Sequence, residues 1–282
     1  MPELPEVETT RQGLLKTLEG QVLQTVEARV PALRFPLPVD LAARLTGRKV
    51  VGIDRRAKYL LVVLEDSQVL LVHLGMTGRM RVFPAGNGLP PPGKHDHVIF
   101  RTAEGSEIRF NDTRRFGIVD LMAADGVANH PLLRDLGPEP LGNAFDGPLL
   151  AARLKGRRSS IKAALLDQKT VAGLGNIYVC EALYHSNLSP KRGAYTVQGA
   201  RAERLTEAIR QVLNEAIAAG GSSLRDFRHA DGELGYFQKQ FSVYGREGEC
   251  CPRCAEEKKP IGCIRRIVQS GRSTFYCSRW QR

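Results

Sequence analysis

From Gln21 to Met122 the chain runs as short apolar or alternating stretches, each closed by Gly, Asp, Asn or Pro. The segments KVVGIDRR, YLLVVLE, SQVLLVHL, RMRVF, SEIRF and GIVDLM read as β-strands. So many short strands in succession predict a sandwich or barrel-like β domain. The stretch PAGNGLPPPGKHD is too rich in Pro and Gly for regular structure, so it is expected to project from the sheet and to end in a basic, His-containing patch. Beyond LGPEPLGNAFDGP, which reads as an interdomain linker, the period becomes helical. Leu205, Ile209, Val212, Leu213, Ala216 and Ile217 share one face of a helix that Gly220 and Gly221 should end. A second helical pair brackets VAGLGN, where Gly173 and Gly175 permit a tight turn. The chain closes on a hairpin, CIRRIVQ and STFYC around SGR. There is no internal repeat.

At 282 residues, 42% hydrophobic and 25% charged, the composition is globular and long enough for two ordinary domains. No apolar run approaches the roughly 20 residues of a membrane span, and the opening MPELPEVETT is acidic where a targeting peptide would be basic. Forty-one Lys and Arg against 30 Asp and Glu leave a net charge of +11, which favours a polyanionic partner, nucleic acid before a membrane surface. Cys250, Cys251, Cys254, Cys263 and Cys277 crowd the C-terminal end, while Cys180 stands alone. Such clustering without an export signal argues for a reduced cytosolic protein carrying a small metal-stapled module.

Pro2 draws attention because methionine is normally trimmed before so small a residue, leaving a free secondary amine. That amine is a nucleophile: with an aldehyde carbon it gives an iminium ion, an electron sink that permits β-elimination. It must be neutral near pH 7, and an α-amino group, with a pKa of about 8, is already close. Pro5, Glu6 and Glu8 look like the first turn of a helix, whose positive end lowers that pKa further. Glu3 and Glu6 are near enough in sequence to move protons for the amine. The plain alternative is a well-capped helix start.

PELPEVET resembles the signature of the formamidopyrimidine-DNA glycosylases, and RRAKYLL, HLGMTG, NDTRRFG, VAGLGNIY, VYGREGE and SGRSTFYC match that family in order and spacing over essentially the whole chain. The resemblance implies an α+β multidomain protein. Its parts would be an N-terminal β-sandwich with flanking helices (1–138), a helix-two-turn-helix domain with a lesion-capping loop (139–247) and a C-terminal zinc-ribbon-type hairpin (248–282). It implies a monomeric, cytoplasmic base-excision repair enzyme that removes oxidised purines from duplex DNA and cuts the strand at the resulting abasic site. Residue by residue, Pro2 would attack C1′, Glu3 would assist opening of the sugar ring, Lys58 would serve β-elimination and Arg272 δ-elimination. Met76, Arg114 and Phe116 would fill the gap left by the extruded nucleotide. His95, Arg114, Arg157 and Asn176 would hold phosphates, with Lys162 nearby. The family's usual NDP reads NDT here. Two rival readings are an endonuclease VIII-type enzyme for oxidised pyrimidines and a non-catalytic DNA-binding relative.

The resemblance implies one zinc held by two CxxC knuckles, and here the chain departs from it. Cys251 and Cys254 form the first knuckle, but the second reads Cys277-Ser278-Arg279-Trp280, with tryptophan where the family has its fourth cysteine. If the hairpin turns at Ser270-Gly271, Cys263 lies across the ladder from residues 277 and 278 and can supply the missing ligand. The alternative is a metal-free ribbon packed partly by Trp280.

Overall fold

The structure is a computed structural model that describes residues 1–86, 88–221, 240–259 and 262–282. Most of the segment expected to cap the lesion, GGSSLRDFRHADGELGYF, lies outside the described residues. The described chain forms two compact units, one built from Met1–Arg134 with residues 219–221, the other from Asp135–Ala218 with residues 240–259 and 262–282. The boundary falls at the start of the Pro- and Gly-rich linker.

The first unit opens with helix α1 (Leu4–Leu18), followed by β1 (Leu23–Ala28), a short helix α2 (Leu41–Leu45) and seven more strands. These are β2 (Val50–Arg56), β3 (Tyr59–Leu64), β4 (Gln68–His73), β5 (Arg79–Phe83), β6 (Asp96–Thr102), β7 (Glu107–Asn111) and β8 (Ile118–Ala123). They pair into two antiparallel four-stranded sheets, ordered β1-β6-β7-β5 and β2-β3-β4-β8. Alternate residues of both sheets meet in one core. Leu60, Val62 and Leu64 of β3, with Leu70 and Val72 of β4, lie in it together with Val98 and Phe100 of β6 and Ile108 and Phe110 of β7. Val7, Leu14 and Leu18 add an apolar stripe from α1. The structure is thus the expected sandwich rather than a closed barrel. It adds two strands to those read from the sequence. In β1, LQTVEA, only Leu23 and Val26 are buried, so its pattern is faint. β6 begins at Asp96, immediately after the Pro-rich loop, and its buried Asp96 and His97 disguise its start.

The second unit contains α3 (Gly147–Leu154), α4 (Ile161–Leu166), α5 (Asn176–His185), α6 (Ala200–Ala218) and α7 (Pro252–Glu256), then the hairpin β9 (Ile264–Gln269) and β10 (Arg272–Cys277). Asp146 and Ser160 cap α3 and α4 through their side chains. Leu205, Ile209, Val212, Leu213 and Ala216 of α6 are buried, as the periodicity requires. The hairpin turns at Ser270 and Gly271, both at positive φ (49° and 70°), the conformation a two-residue turn demands. The buried Glu181 of α5 accepts hydrogen bonds from the amides of Ser242 (2.8 Å), Val243 (3.0 Å) and Tyr244 (2.8 Å). Burial pushes its carboxyl pKa up, and the three amides pull it back.

Glu181→Ala strands three amides at once, two of them in buried residues, each worth about 1–3 kcal/mol when buried. It should destabilise the protein by roughly 3 kcal/mol or more, read as a lower urea midpoint at unchanged slope.

Candidate active site and metal centre

Helix α1 begins immediately after Pro2, with Glu3 as its N-cap and Pro5 in its first turn. Glu3 and Glu6 form a reciprocal capping box, in which the Glu6 carboxylate accepts from the Glu3 amide at 2.9 Å. Glu6 is therefore committed to holding the helix start. Pro2 and Glu3 are both buried, Glu3 to 3% exposure. A buried carboxylate at a helix N-terminus beside an amine-bearing residue is a proton-transfer arrangement as well as a cap.

Lys58 lies at the β2–β3 turn and is only 7% exposed, unlike the solvated charge that a lone lysine at a strand start usually is. Ala57, just before it, has φ 52°, a left-handed conformation costly for a residue with a Cβ. His73, at the end of β4, pairs with Tyr59 in the ladder and sits against its ring, with centroids 4.8 Å apart. Burial, with the nearby charges of Lys58 and Arg34, lowers the His73 pKa to about 4. Its ring is therefore neutral at physiological pH, which suits the 3.1 Å hydrogen bond its Nδ1 accepts from the Gly75 amide.

Gly75 opens the loop that carries Met76, and a second loop carries Arg114 and Phe116. The two are in backbone contact: a Cβ on Gly75, at φ 63°, would come within 2.6 Å of Phe116 and Gly117 backbone atoms. Asp112 clamps both loops. Its carboxylate accepts from the Thr77 hydroxyl (2.5 Å) and from the amides of Arg114 (3.2 Å) and Gly117 (2.8 Å). Three residues expected to fill a gap in a base stack are thereby brought together. Met76 is 39% and Phe116 42% exposed, and the Arg114 guanidinium lies 4.5 Å from the Phe116 ring centre. Thr113 does not undo the turn, because Asp112 holds it from the preceding position.

The residues expected on phosphates fare differently. His95 is half-buried just before β6, with its carbonyl accepting from the Asp112 amide at 3.0 Å. Arg157 is half-exposed and paired with Asp167 at 2.8 Å, and this pairing contributes to holding the Asp167 carboxyl below the usual range. Asn176, at the start of α5, donates to the Ser273 carbonyl at 2.9 Å. Lys162 is fully buried and donates to the Ser273 carbonyl (2.9 Å) and the Thr274 hydroxyl (2.6 Å), so it ties α4 to β10 inside the unit. Arg272 is exposed at the first position of β10, beside the hairpin turn.

The sulfurs of Cys251, Cys254, Cys263 and Cys277 all lie within 4.8 Å of one another, with Cys254 and Cys277 at 3.9 Å. A tetrahedron of thiolates around an ion bonded at ~2.3 Å has sulfurs about 3.8 Å apart, so the four fit a metal. Cys263 completes the set as the hairpin register requires: the Ser278 amide donates to the Cys263 carbonyl at 2.9 Å, and the Cys251 amide donates to the Cys263 sulfur at 3.1 Å. Cys250 points elsewhere, toward the Lys259 carbonyl. Trp280 is half-buried and packs against the cysteine cluster with Phe275 and Tyr244. Asp112 and His73 escaped the sequence reading. Both stand inside recognised motifs, but only three-dimensional pairing reveals what they hold.

Two family models match the chain, the formamidopyrimidine-DNA glycosylase N-terminal domain over residues 1–119 and its H2TH domain over residues 136–228. A formamidopyrimidine-DNA glycosylase of Rhodospirillum rubrum is 58% identical, with both chains covered in full. Among solved structures, the MutM (Fpg) protein of Thermus thermophilus superposes with a TM-score of 0.86 at 41% identity, covering 99% of this chain and 98% of that one. A point mutant of the Lactococcus lactis Fpg, in complex with Fapy-dG-containing DNA, gives 0.88 at 36% identity over all of both chains. No described helix is long and apolar enough to cross a membrane.

Removing the Asp112 carboxylate should free both wedge loops without unfolding the sandwich. In Asp112→Ala, hydrogen exchange at the Arg114 and Gly117 amides is expected to accelerate, with a stability loss of about 2–4 kcal/mol for the orphaned donors.

Proposed function

The chain belongs to the formamidopyrimidine-DNA glycosylase family, and from that premise we propose how its own residues carry out the repair reaction. The protein is a base-excision repair DNA glycosylase with the lyase activity general to that family. Its substrate is duplex DNA containing oxidised purines, 8-oxoguanine and formamidopyrimidines, and it also acts on abasic sites. Related proteins have been solved with Fapy-dG DNA and with DNA containing an abasic site.

With Met1 removed, the Pro2 nitrogen attacks C1′ of the extruded nucleotide as the damaged base leaves, taking the bonding electrons and a proton. Glu3 delivers a proton to the ring oxygen, the sugar opens, and C1′ and nitrogen are left joined as an iminium ion. That cation acidifies C2′. Loss of the C2′ proton, served by Lys58, drives out the 3′ phosphate, which is β-elimination. Arg272 then serves loss of the 5′ phosphate by δ-elimination, where its exposed guanidinium suits a phosphate contact. Met76, Arg114 and Phe116 fill the vacated stack, with the guanidinium addressing the base left unpaired. His95, Arg157 and Asn176 hold the backbone, His95 and the amides at the start of α5 being the stronger candidates because Arg157 is already paired. The observation that carries this reading is the burial of two ionisable side chains, Glu3 and Lys58, in the unit whose first helix is capped by the residue after Pro2.

At the metal centre, we assign zinc to Cys251, Cys254, Cys263 and Cys277, since four thiolates in a near-tetrahedral set select a closed structural zinc. When bound, the ion staples the hairpin to α7 and takes no part in the chemistry.

Borohydride reduction of the processed protein on an 8-oxoguanine duplex should trap a covalent adduct, and a preparation that retains Met1 or carries an acetylated terminus should trap none. Equal trapping by both would dismiss Pro2 as nucleophile; preference for an oxidised pyrimidine duplex would move the substrate assignment to the endonuclease VIII type. Elemental analysis is expected to find one zinc per chain, and Cys263→Ser to lose it. A full equivalent in that variant would remove Cys263 from the ligand set.

A further inference from the structure

The reaction needs Lys58 and the Pro2 terminus in fixed register, although they stand on different elements. Lys58 sits in a two-residue turn between β2 and β3, since Arg56 pairs with Tyr59. The turn is strained, with Ala57 held at φ 52°. Glycine would adopt this backbone freely, so something must hold it in place when the residue is alanine.

Arg55 supplies that hold. Its Nη1 donates to the Ala57 carbonyl at 3.0 Å, the carbonyl of the peptide that leads into Lys58. Its Nε donates at 3.0 Å to the carboxylate of Glu8, a residue of α1. Both side chains are largely shielded from solvent, at 11% and 13% exposure. Glu8 is steadied in turn by Arg11, which bonds it at 2.7 Å and also donates to the Ile53 carbonyl of β2 at 3.0 Å. The Arg11 and Arg55 hydrogen bonds hold the Glu8 carboxyl below the usual range against the opposing effect of burial, so this acceptor is ionised at working pH. A continuous path of charge-assisted hydrogen bonds therefore runs from the helix that presents Pro2 and Glu3 to the peptide before Lys58.

We propose that Arg55, braced by Glu8, is a positioning residue for Lys58: it fixes the Ala57 peptide and so sets the lysine against the amine terminus carried by α1. The fork geometry of arginine is required, because one side chain must reach two acceptors in different directions. Lysine has a single point of donation and cannot span them. The proposal rests on the reading of Pro2 as nucleophile and Lys58 as the residue serving β-elimination.

The test uses the full-length processed protein on a duplex with a preformed abasic site, following borohydride trapping and single-turnover strand cleavage separately. Arg55→Met and Arg55→Lys should both trap within about twofold of wild type, because Pro2 still attacks. Both should cleave on the order of 10- to 100-fold more slowly, the scale of an ångström-sized misplacement. The loss should appear in the single-turnover rate at saturating enzyme, with the half-saturating enzyme concentration unchanged. Glu8→Gln, which removes the charged brace but keeps Arg55, Lys58 and the Pro2 terminus, should slow cleavage several-fold while trapping stays within about twofold of wild type. Wild-type cleavage in a folded Arg55→Met, or trapping and cleavage falling in equal proportion, overturns the proposal. If Arg55→Met does not fold, Glu8→Gln decides: selective slowing of cleavage supports the strut, and an unchanged rate overturns it. Trapping by an acetylated terminus would instead sink the Pro2 reading on which the proposal stands.

Discussion

The reciprocal hydrogen bonds between Glu3 and Glu6 at the start of α1 are the constraint on which the rest of the candidate active site depends. A helix start leaves its first amides without partners, and here two carboxylates of the same turn satisfy them. The residue just before the cap is then no fraying terminus. Pro2 is buried and immediately precedes the cap residue Glu3. Glu3, which follows it, is buried as well. Glu6 serves the cap, so the two glutamates have different duties although the sequence presents them alike.

A second consequence is that charge is buried throughout the first unit and must be matched locally. Arg109 shows the cost: its guanidinium, 2% exposed, bonds Glu107, Asp96 and the carbonyls of Pro90 and Pro91, and lies 4.3 Å from the Phe83 ring centre. Arg29 takes the Gly93 and Asp96 carbonyls of the same stretch. Two arginines thus satisfy a loop whose prolines donate nothing, and His95 follows from a fixed backbone. Asp112 does for the wedge loops what Arg109 does for this one.

Much of this was legible in the chain. Period-two apolar runs gave the sandwich strands, the α6 stripe gave its buried face, and the turn at Ser270-Gly271 placed Cys263 opposite Ser278. What the chain concealed was the destination of polar side chains. Lys162 stands among basic residues near the expected phosphate contacts, yet it is wholly interior and donates to the Ser273 carbonyl and the Thr274 hydroxyl, more than a hundred residues on. Arg157 reads as free charge until Asp167 is placed beside it. Pattern reports which positions avoid water, but for a buried polar group the partner is set by folding, and no local period encodes it.

The substitution of tryptophan for a ligand cysteine follows the same logic in reverse. A tetrahedral thiolate site requires four sulfurs at one point and is indifferent to the order in which the chain supplies them. The first strand of the hairpin runs antiparallel to the second, so Cys263, just before β9, lies across from Ser278, next to the cysteine that ends β10. Cys263 therefore reaches the position that a cysteine at residue 280 would otherwise fill. Residue 280, not needed in the sulfur cluster, is free to be large, and its indole packs against the cluster, with the Arg253 guanidinium near both its ring and that of Tyr184. Ligand and packing residue have exchanged places across one ladder, and the hairpin keeps both the four-sulfur cluster and the exposed Arg272 at its turn.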